Sequence, residues 1–285
     1  MLNLDMKKIV MILLSLMVVS FALAGILGAG AGPWTASIVP GSLETIDETH
    51  VFESEEVQEI IIETISTDIN IIPTEESTVK VHLYGEATPN LIPYDFARQS
   101  GNRISVDVRP KQQPGINFNT ILRLTLDVYV PGEYTEKLRA QTVSGDLLAS
   151  DLSLQTLAFK SVSGKLRATD FNAEWADLST TSGNLSISGF AGELTSKTVS
   201  GDVTLDYKEF ANNITVSTTS GNTTLILPED AEFSVQFQTV SGKANSDFPI
   251  TVDSLSGNRN FAGTVGSGEN RVQVRSVSGN LEINK

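Results

Sequence analysis

Hydrophobic and polar positions follow two different rules along this chain. Between Ile9 and Gly32 lie 24 consecutive uncharged, largely apolar residues, closed by Pro33 and Trp34. In the C-terminal half, apolar residues instead occupy alternate positions on either side of a recurring phrase. It reads TVSGDL at Thr142–Leu147, SVSGKL at Ser161–Leu166, TTSGNL at Thr180–Leu185 and TVSGDV at Thr198–Val203. It continues as TTSGNT at Thr218–Thr223, TVSGKA at Thr239–Ala244 and SVSGNL at Ser276–Leu281. The turn glycines are Gly145, Gly164, Gly183, Gly201, Gly221, Gly242 and Gly279, spaced by 19, 19, 18, 20, 21 and 37 residues.

Aligned on the glycine, the copies agree position by position. Seven residues before it stand Leu138, Leu157, Ala176, Leu194, Ile214, Val235 and Val272, and five before it Ala140, Phe159, Leu178, Ser196, Val216, Phe237 and Val274. Three before it is always Ser or Thr. Apolar residues return two and four after it, as in Leu147 with Ala149 and Leu185 with Ile187. A period of two on both sides predicts one strand entering the turn and another leaving it. The glycine is expected to supply a backbone angle that other residues resist. The rival is a β-sandwich or ordinary antiparallel meander, but its strands would need different inward residues at each position. The predicted fold is therefore all-β: a single-stranded β-solenoid, or β-helix, with coils of about 19 residues stacked ~4.8 Å apart. The inward Ser/Thr column suits it, because stacked hydroxyls can donate and accept along the ladder.

Residues 60–71 read as a worn copy of the same unit, with Thr67 where glycine would stand. Val79–Leu83, Arg103–Val108 and Leu122–Val130 alternate like further strands, whereas residues 85–101 and 111–119 read as loops. The expected organisation is a signal anchor or signal peptide at 1–33, a linker at 34–50, and one domain at 51–285. Within that domain, 51–135 are irregular N-terminal coils and 136–285 the regular Ser-Gly repeats.

Composition narrows the chemistry. A formal charge of −14 repels phosphate backbones and anionic headgroups, which argues against nucleic-acid binding and basic-patch membrane binding. The absence of cysteine removes disulfides, thiolate metal sites and thiol catalysis. His50 and His82 are the only histidines, so no catalytic, metal or cofactor site is expected. Eleven acidic residues and no Lys or Arg lie between Glu44 and Glu76, without a calcium-loop pattern, and read as a solvated acidic face. At ~1.5 Å per residue the N-terminal run is long enough to cross a ~30 Å hydrocarbon layer. Lys7 and Lys8 before it hold its start in the cytoplasm and place the body outside. Cleavage near Ala22-Leu23-Ala24 or Ala29-Gly30-Ala31 would instead make the protein secreted.

Few residues remain as candidates for binding. The position after each glycine (Asp146, Lys165, Asn184, Asp202, Asn222, Lys243, Asn280) is expected to form a column. It is either a polar recognition strip or a solvated turn edge in which Asp146 and Lys165 pair. Asp151, Asp170 and Asp206 read as scattered relative to the repeat and make no carboxylate cluster. Phe171, Phe190 and Tyr207 follow their turns at similar distances, as core or corner packing rather than a sugar-stacking row.

Taken together, these residues resemble the bacterial putative-adhesin domain family, a domain of unknown function described as a β-solenoid. The resemblance covers residues 51–285. It rests on Ile65-Ser66-Thr67-Asp68-Ile69-Asn70-Ile71, on the approach Leu126–Gly132, on the serial Ser-Gly turns, and on Gly263–Arg271 leading into Val277–Leu281. Thr67 departs from the usual glycine, which leaves that turn's geometry open. The resemblance implies an envelope-associated, non-catalytic domain and carries no binding residues with it. The expected function is a structural, adhesion or interaction module partnered by the membrane through its N-terminal helix and by an envelope protein or cell-wall polymer. The alternatives are a regulatory or sensory ectodomain restraining a membrane partner, and a polysaccharide-active enzyme.

Overall fold

The computed structural model describes residues 43–89, 95–110, 122–256 and 260–285. The expected helix within residues 1–33 and the expected loop at 111–119 lie outside the described residues. Within them the regular elements are 22 strands, β1–β22 in chain order, and no helix is long and apolar enough to cross a membrane.

Alternating patterns on both sides of each Ser-Gly turn become strands that sort into two sheets. The leading sheet, made of strands that approach the turn, runs in space as β5 (Ala97–Ser100), β6 (Arg103–Val108), β2 (Glu59–Thr64), β8 (Lys137–Gln141), β10 (Ser153–Ser161) and β12 (Asn172–Thr180). It continues through the second half of β13 (Leu185–Thr198), then β15 (Ile214–Thr218), β21 (Asn270–Arg275), β17 (Phe233–Gln238), β20 (Asn260–Val265) and β19 (Thr251–Ser256). The trailing sheet runs as β1 (Glu44–Glu53), β4 (Thr78–Ala87), β7 (Leu122–Pro131), β3 (Asp68–Thr74), β9 (Leu147–Ser150) and β11 (Leu166–Thr169). It ends with the first half of β13, β14 (Val203–Tyr207), β16 (Thr223–Ile226), β22 (Leu281–Asn284) and β18 (Ala244–Ser246). Pairing is parallel from β6 to β17 and from β7 to β18, and antiparallel strands are confined to the ends.

Register follows the repeat. Leu157 pairs with Leu138 on one side and Ala176 on the other, and the column continues through Leu194, Ile214 and Val272. These six are at most 1 % exposed, so each apolar column stacks on itself between the sheets. Ser196 is the one polar guest in the column five before the glycine; it is fully buried between Leu178 and Val216, and its hydroxyl has no partner. The single 18-residue interval, Gly183 to Gly201, is absorbed by a bulge. Ala173 and Glu174 of β12 oppose Gly192 alone, and a Cβ on Gly192 would strike the Ala173 carbonyl.

The turn glycines do not supply the expected angle that other residues resist, since positive φ occurs elsewhere. Their constraint is contact along the stack. A Cβ on Gly183 would be driven into the carbonyl oxygen of Gly164, and the same holds for Gly145 on Thr67, Gly164 on Gly145, Gly201 on Gly183, Gly221 on Gly201, Gly279 on Gly221 and Gly242 on Gly279. Thr67 is the first rung among the described residues and supplies only the carbonyl, which is how a side chain is accommodated there.

That column also corrects the order of the stack. Gly279 sits between Gly221 and Gly242, because the C-terminal pair β21 and β22 inserts between β15–β16 and β17–β18. The 37-residue interval is not one long repeat. The chain passes beyond the end, turns back through the antiparallel β19 and β20, and then fills the gap it left. Three other expectations are revised. Residues 44–50, expected as linker, belong to β1; β5 lies within the expected loop at 85–101; and β4 runs on to Ala87.

Two outcomes follow from this architecture. Gly183→Ala should destabilise by about 3 kcal/mol through overpacking against backbone that cannot move aside, and Asn184→Ala by only about 1 kcal/mol. Equal urea midpoints for the two variants would remove the contact as the cause. Because β17 pairs only with β21 and β20 among the described residues, a chain ending at Glu269 should lose protease resistance over residues 233–265 while residues 137–226 stay protected; resistance throughout would contradict the insertion.

Candidate interaction surface

The hydroxyl three residues before the glycine accepts that glycine's own N–H: Thr142 at 3.0 Å, Ser161 at 2.7 Å, Thr180 at 3.0 Å, Thr198 at 2.8 Å and Thr218 at 2.9 Å. These bonds cap five of the turns locally, where a hydroxyl ladder was expected. One hydroxyl pair does bond across the stack, Thr64 to Thr142 at 3.0 Å. Toward the C-terminal end the buried Thr239 and Ser276 hydroxyls have no partner.

The residue after the glycine forms a second ladder. Asp68 Oδ1 accepts the N–H of Asp146 at 2.9 Å, and Asp146 Oδ1 that of Lys165 at 2.8 Å. After Lys165 the ladder resumes: Asn184 accepts from Asp202 at 3.1 Å, Asp202 from Asn222 at 2.8 Å, Asn222 from Asn280 at 3.1 Å and Asn280 from Lys243 at 3.0 Å. Asp146 thus engages the backbone of Lys165, where a pairing of the two residues' charges was expected. The ladder breaks at Lys165, whose ammonium has no acceptor, and it ends at Lys243 on the last rung.

The opposite corner accounts for two aspartates that had read as scattered. Asp151 (φ 52°) and Asp170 (φ 49°) are left-handed, and Gly189 (φ 63°) takes the equivalent place one repeat on. Each lies six residues after its turn glycine, a spacing that stacks them in register. Aspartate is one of the few residues that tolerate this angle. Just inside this corner Phe171 and Phe190 are fully buried. From Phe190 an edge-to-face row runs through Tyr207, Phe210, Phe233 and Phe248, with centroids 5.1, 5.4, 6.2 and 5.3 Å apart. Burial raises the Tyr207 phenol well above its ordinary range. Phe190, Tyr207, Phe233 and Phe248 of this row are buried and Phe210 is partly covered, so the row serves packing.

Outward chemistry concentrates near β1–β8. On the trailing sheet His82 Nε2 lies 2.8 Å from Asp47, Asn70 donates to Asp127 at 2.7 Å, and the Lys80 ammonium sits 4.1 Å from the Tyr129 ring. On the leading sheet Glu59 meets Arg103 at 2.8 Å and Arg139 at 3.7 Å, and Arg109 joins Glu63 at 2.8 Å to Asp107 at 2.6 Å. The hydrogen bonds from Arg109 hold Asp107 below the usual carboxylate range. Among the described residues no group of three acidic, His or Cys side chains is placed to hold a metal. Three apolar side chains stand out from these faces: Val51 on β1, 57 % exposed, Leu148 on β9, 45 % exposed, and Trp175, 43 % exposed. Trp175 follows the β12 bulge, where two successive residues, Glu174 and Trp175, both face outward. At the other end Ala244, Asn245, Ser246, Phe248, Ile250, Phe261, Leu281 and Ile283 line a cleft of about 230 Å³, part polar and part apolar.

A family model, Toastrack DUF4097, matches residues 57–284. The chain belongs to this family. Among solved structures it is similar to a putative cell adhesion protein from Clostridium sporogenes, at 13% identity over 85% of this chain and 99% of that one, with a TM-score of 0.39. It is also similar to a putative adhesin from Bacteroides fragilis, at 14% identity over 84% and 97%, TM-score 0.44. A third is a putative lipid binding protein from Parabacteroides distasonis, at 12% identity over 84% and 97%, TM-score 0.27. No curated protein matches. In this Toastrack chain the carboxamide ladder yields a direct expectation. Lys165→Asn should restore the missing rung and stabilise by about 1 kcal/mol, raising the urea midpoint. Lys243→Asn, with no rung beyond it, should leave the midpoint where it was. Equal gains from both variants would mean that charge, not the ladder, is being measured.

Proposed function

We propose that this chain is a β-solenoid displayed outside the cytoplasm on one N-terminal membrane helix, acting without catalysis as a structural, adhesion or protein-interaction module of the cell envelope. The observation that carries this reading is the use the repeats make of their reactive groups. The hydroxyl column caps turns, the Asp/Asn column bonds backbone N–H groups of the neighbouring repeat, and the corner aspartates hold left-handed backbone. Side chains spent in this way on the fold are not free to activate a substrate. What remains for contact is the pair of flat outer sheet faces with Leu148 and Trp175 projecting from them, a relief that fits a protein or polymer surface. The charged start and apolar run at Lys7–Gly32 supply the anchor in this reading, and the acidic body favours partners that are neutral or basic.

Replacing Trp175 or Leu148 with a photo-crosslinking residue in cells is the corresponding experiment. We expect a discrete adduct with one envelope protein or with wall polymer, and removal of the body by protease added to intact protoplasts. Protection until lysis, or turnover of a glycan by the purified chain, would overturn the proposal.

A further inference from the structure

The geometry points to the C-terminal end of the stack as a lap joint that receives a second copy of this chain. Beyond the last paired level, β17 over β18, the leading sheet continues for two more strands, β20 and β19, while among the described residues the trailing sheet stops at β18. The end is therefore a step two strands deep.

Side chains at the step are those of an interior without its other half. The residue two after the turn glycine is at most 1 % exposed in Leu147, Leu166, Leu185, Val203, Thr223 and Leu281, but its counterpart Ala244 is exposed, as is Ser246. On the overhang Val252 pairs with Gly263, which pairs with the buried Val235, so Val252 belongs to the inward face. It is nevertheless 48 % exposed. Phe261 and Ile250 flank it and are only partly covered. β18 pairs with β22 alone among the described residues, which leaves alternate backbone groups on its other edge pointing away from the stack.

A second copy fits this step by symmetry. A half-turn about an axis between the sheets, parallel to the strands, exchanges the two sheets and reverses the stack. The overhang of one copy then lies in the two-strand vacancy of the other, with β19 beside the partner copy's β18. Each copy supplies the two strands the other lacks, and the two inward faces with their Val252 side chains close on one another. One patch meets itself, as an isologous interface requires. Charge allows the pairing at this end. The C-terminal step carries both signs, with Lys243 and Lys285 against Asp247, Asp253 and Glu282. The opposite end is edged by β1 with Glu44, Asp47, Glu48 and Glu53, a guarded edge that repels its own copy.

The test uses the full chain in detergent, where light scattering should report two copies per particle. Val252→Asp alters an exposed side chain, so its melting curve should match that of the wild type while dimerisation weakens at least about tenfold. That variant also separates the joint from association through the N-terminal helix. Because the chain lacks cysteine, Asn245→Cys and Asp253→Cys chains mixed under oxidant should cross-link to each other, and Glu48→Cys chains should not. A single-copy wild type, which would leave the step to a strand of some other protein, overturns the proposal. So does a Val252→Asp dimer as tight as the wild type, or a mixture that does not cross-link.

Discussion

Backbone packs directly on backbone at every Ser-Gly turn, and the rest of the structure depends on that contact. Parallel strands stack at ~4.8 Å, and the turn joining the two sheets must hold this spacing without drifting sideways. A glycine resting on the carbonyl of the glycine before it leaves no room for a Cβ, so the turns superpose vertically. Vertical turns keep each apolar column over itself, from Leu138 to Val272 in the leading sheet and from Ala149 to Ile283 in the trailing one. The interior is then a set of rows in which every rung sees the same neighbours. It can grow by repetition until something stops it.

Polar groups around the turn protect that contact. A buried N–H without a partner would cost about 1–3 kcal/mol, and each turn has two that the narrow bend turns away from the sheets. In five of the turns the hydroxyl three residues earlier takes the glycine N–H, and, except on the Lys165 rung, the carboxylate or carboxamide of the adjacent rung takes the next one. Asp and Asn are short enough to reach one strand spacing and no further, which separates this ladder from a surface charge array. The expectation of an Asp146–Lys165 pairing treated the column as solvent-facing charge, whereas its oxygens face the backbone.

Much of this was legible because repetition averages out local ambiguity. One strand of alternating residues could face any core, but six consecutive Ser-Gly copies with Leu, Ala, Ile or Val seven residues earlier indicate self-stacking. The seventh copy illustrates the limit. Spacing along the chain cannot distinguish a long last repeat from an excursion that returns, and the insertion of β21 and β22 is decided by which edge offers the better partner in three dimensions. Asp151 and Asp170 were missed for a simpler reason: their common offset of six was there to be counted, but aspartate was weighed as chemistry and not as a left-handed residue. β1 was hidden by its charge. Glu44, Asp47 and Glu48 read as a solvated linker, yet edge strands carry such residues to avoid further pairing.

The two ends of the stack show how growth by repetition is halted, and they do it differently. At the N-terminal end β4 and β1 add antiparallel to the trailing sheet, β5 adds to the leading sheet, and acidic residues guard the long outer edge. Antiparallel strands break the self-stacking of columns because their side chains no longer match the rung below. At the C-terminal end only one sheet receives antiparallel strands, so the row interior is left open on the other side, with Val252 and Ala244 exposed where every comparable residue is buried. An interior that is cut but not covered differs energetically from a guarded edge: its apolar area still gains about 25 cal/mol per Å² on being covered. Under the proposed N-terminal anchoring, that unguarded end is the one farthest from the anchor, so a joint made there would unite the distal tips of two rods and leave their anchors apart.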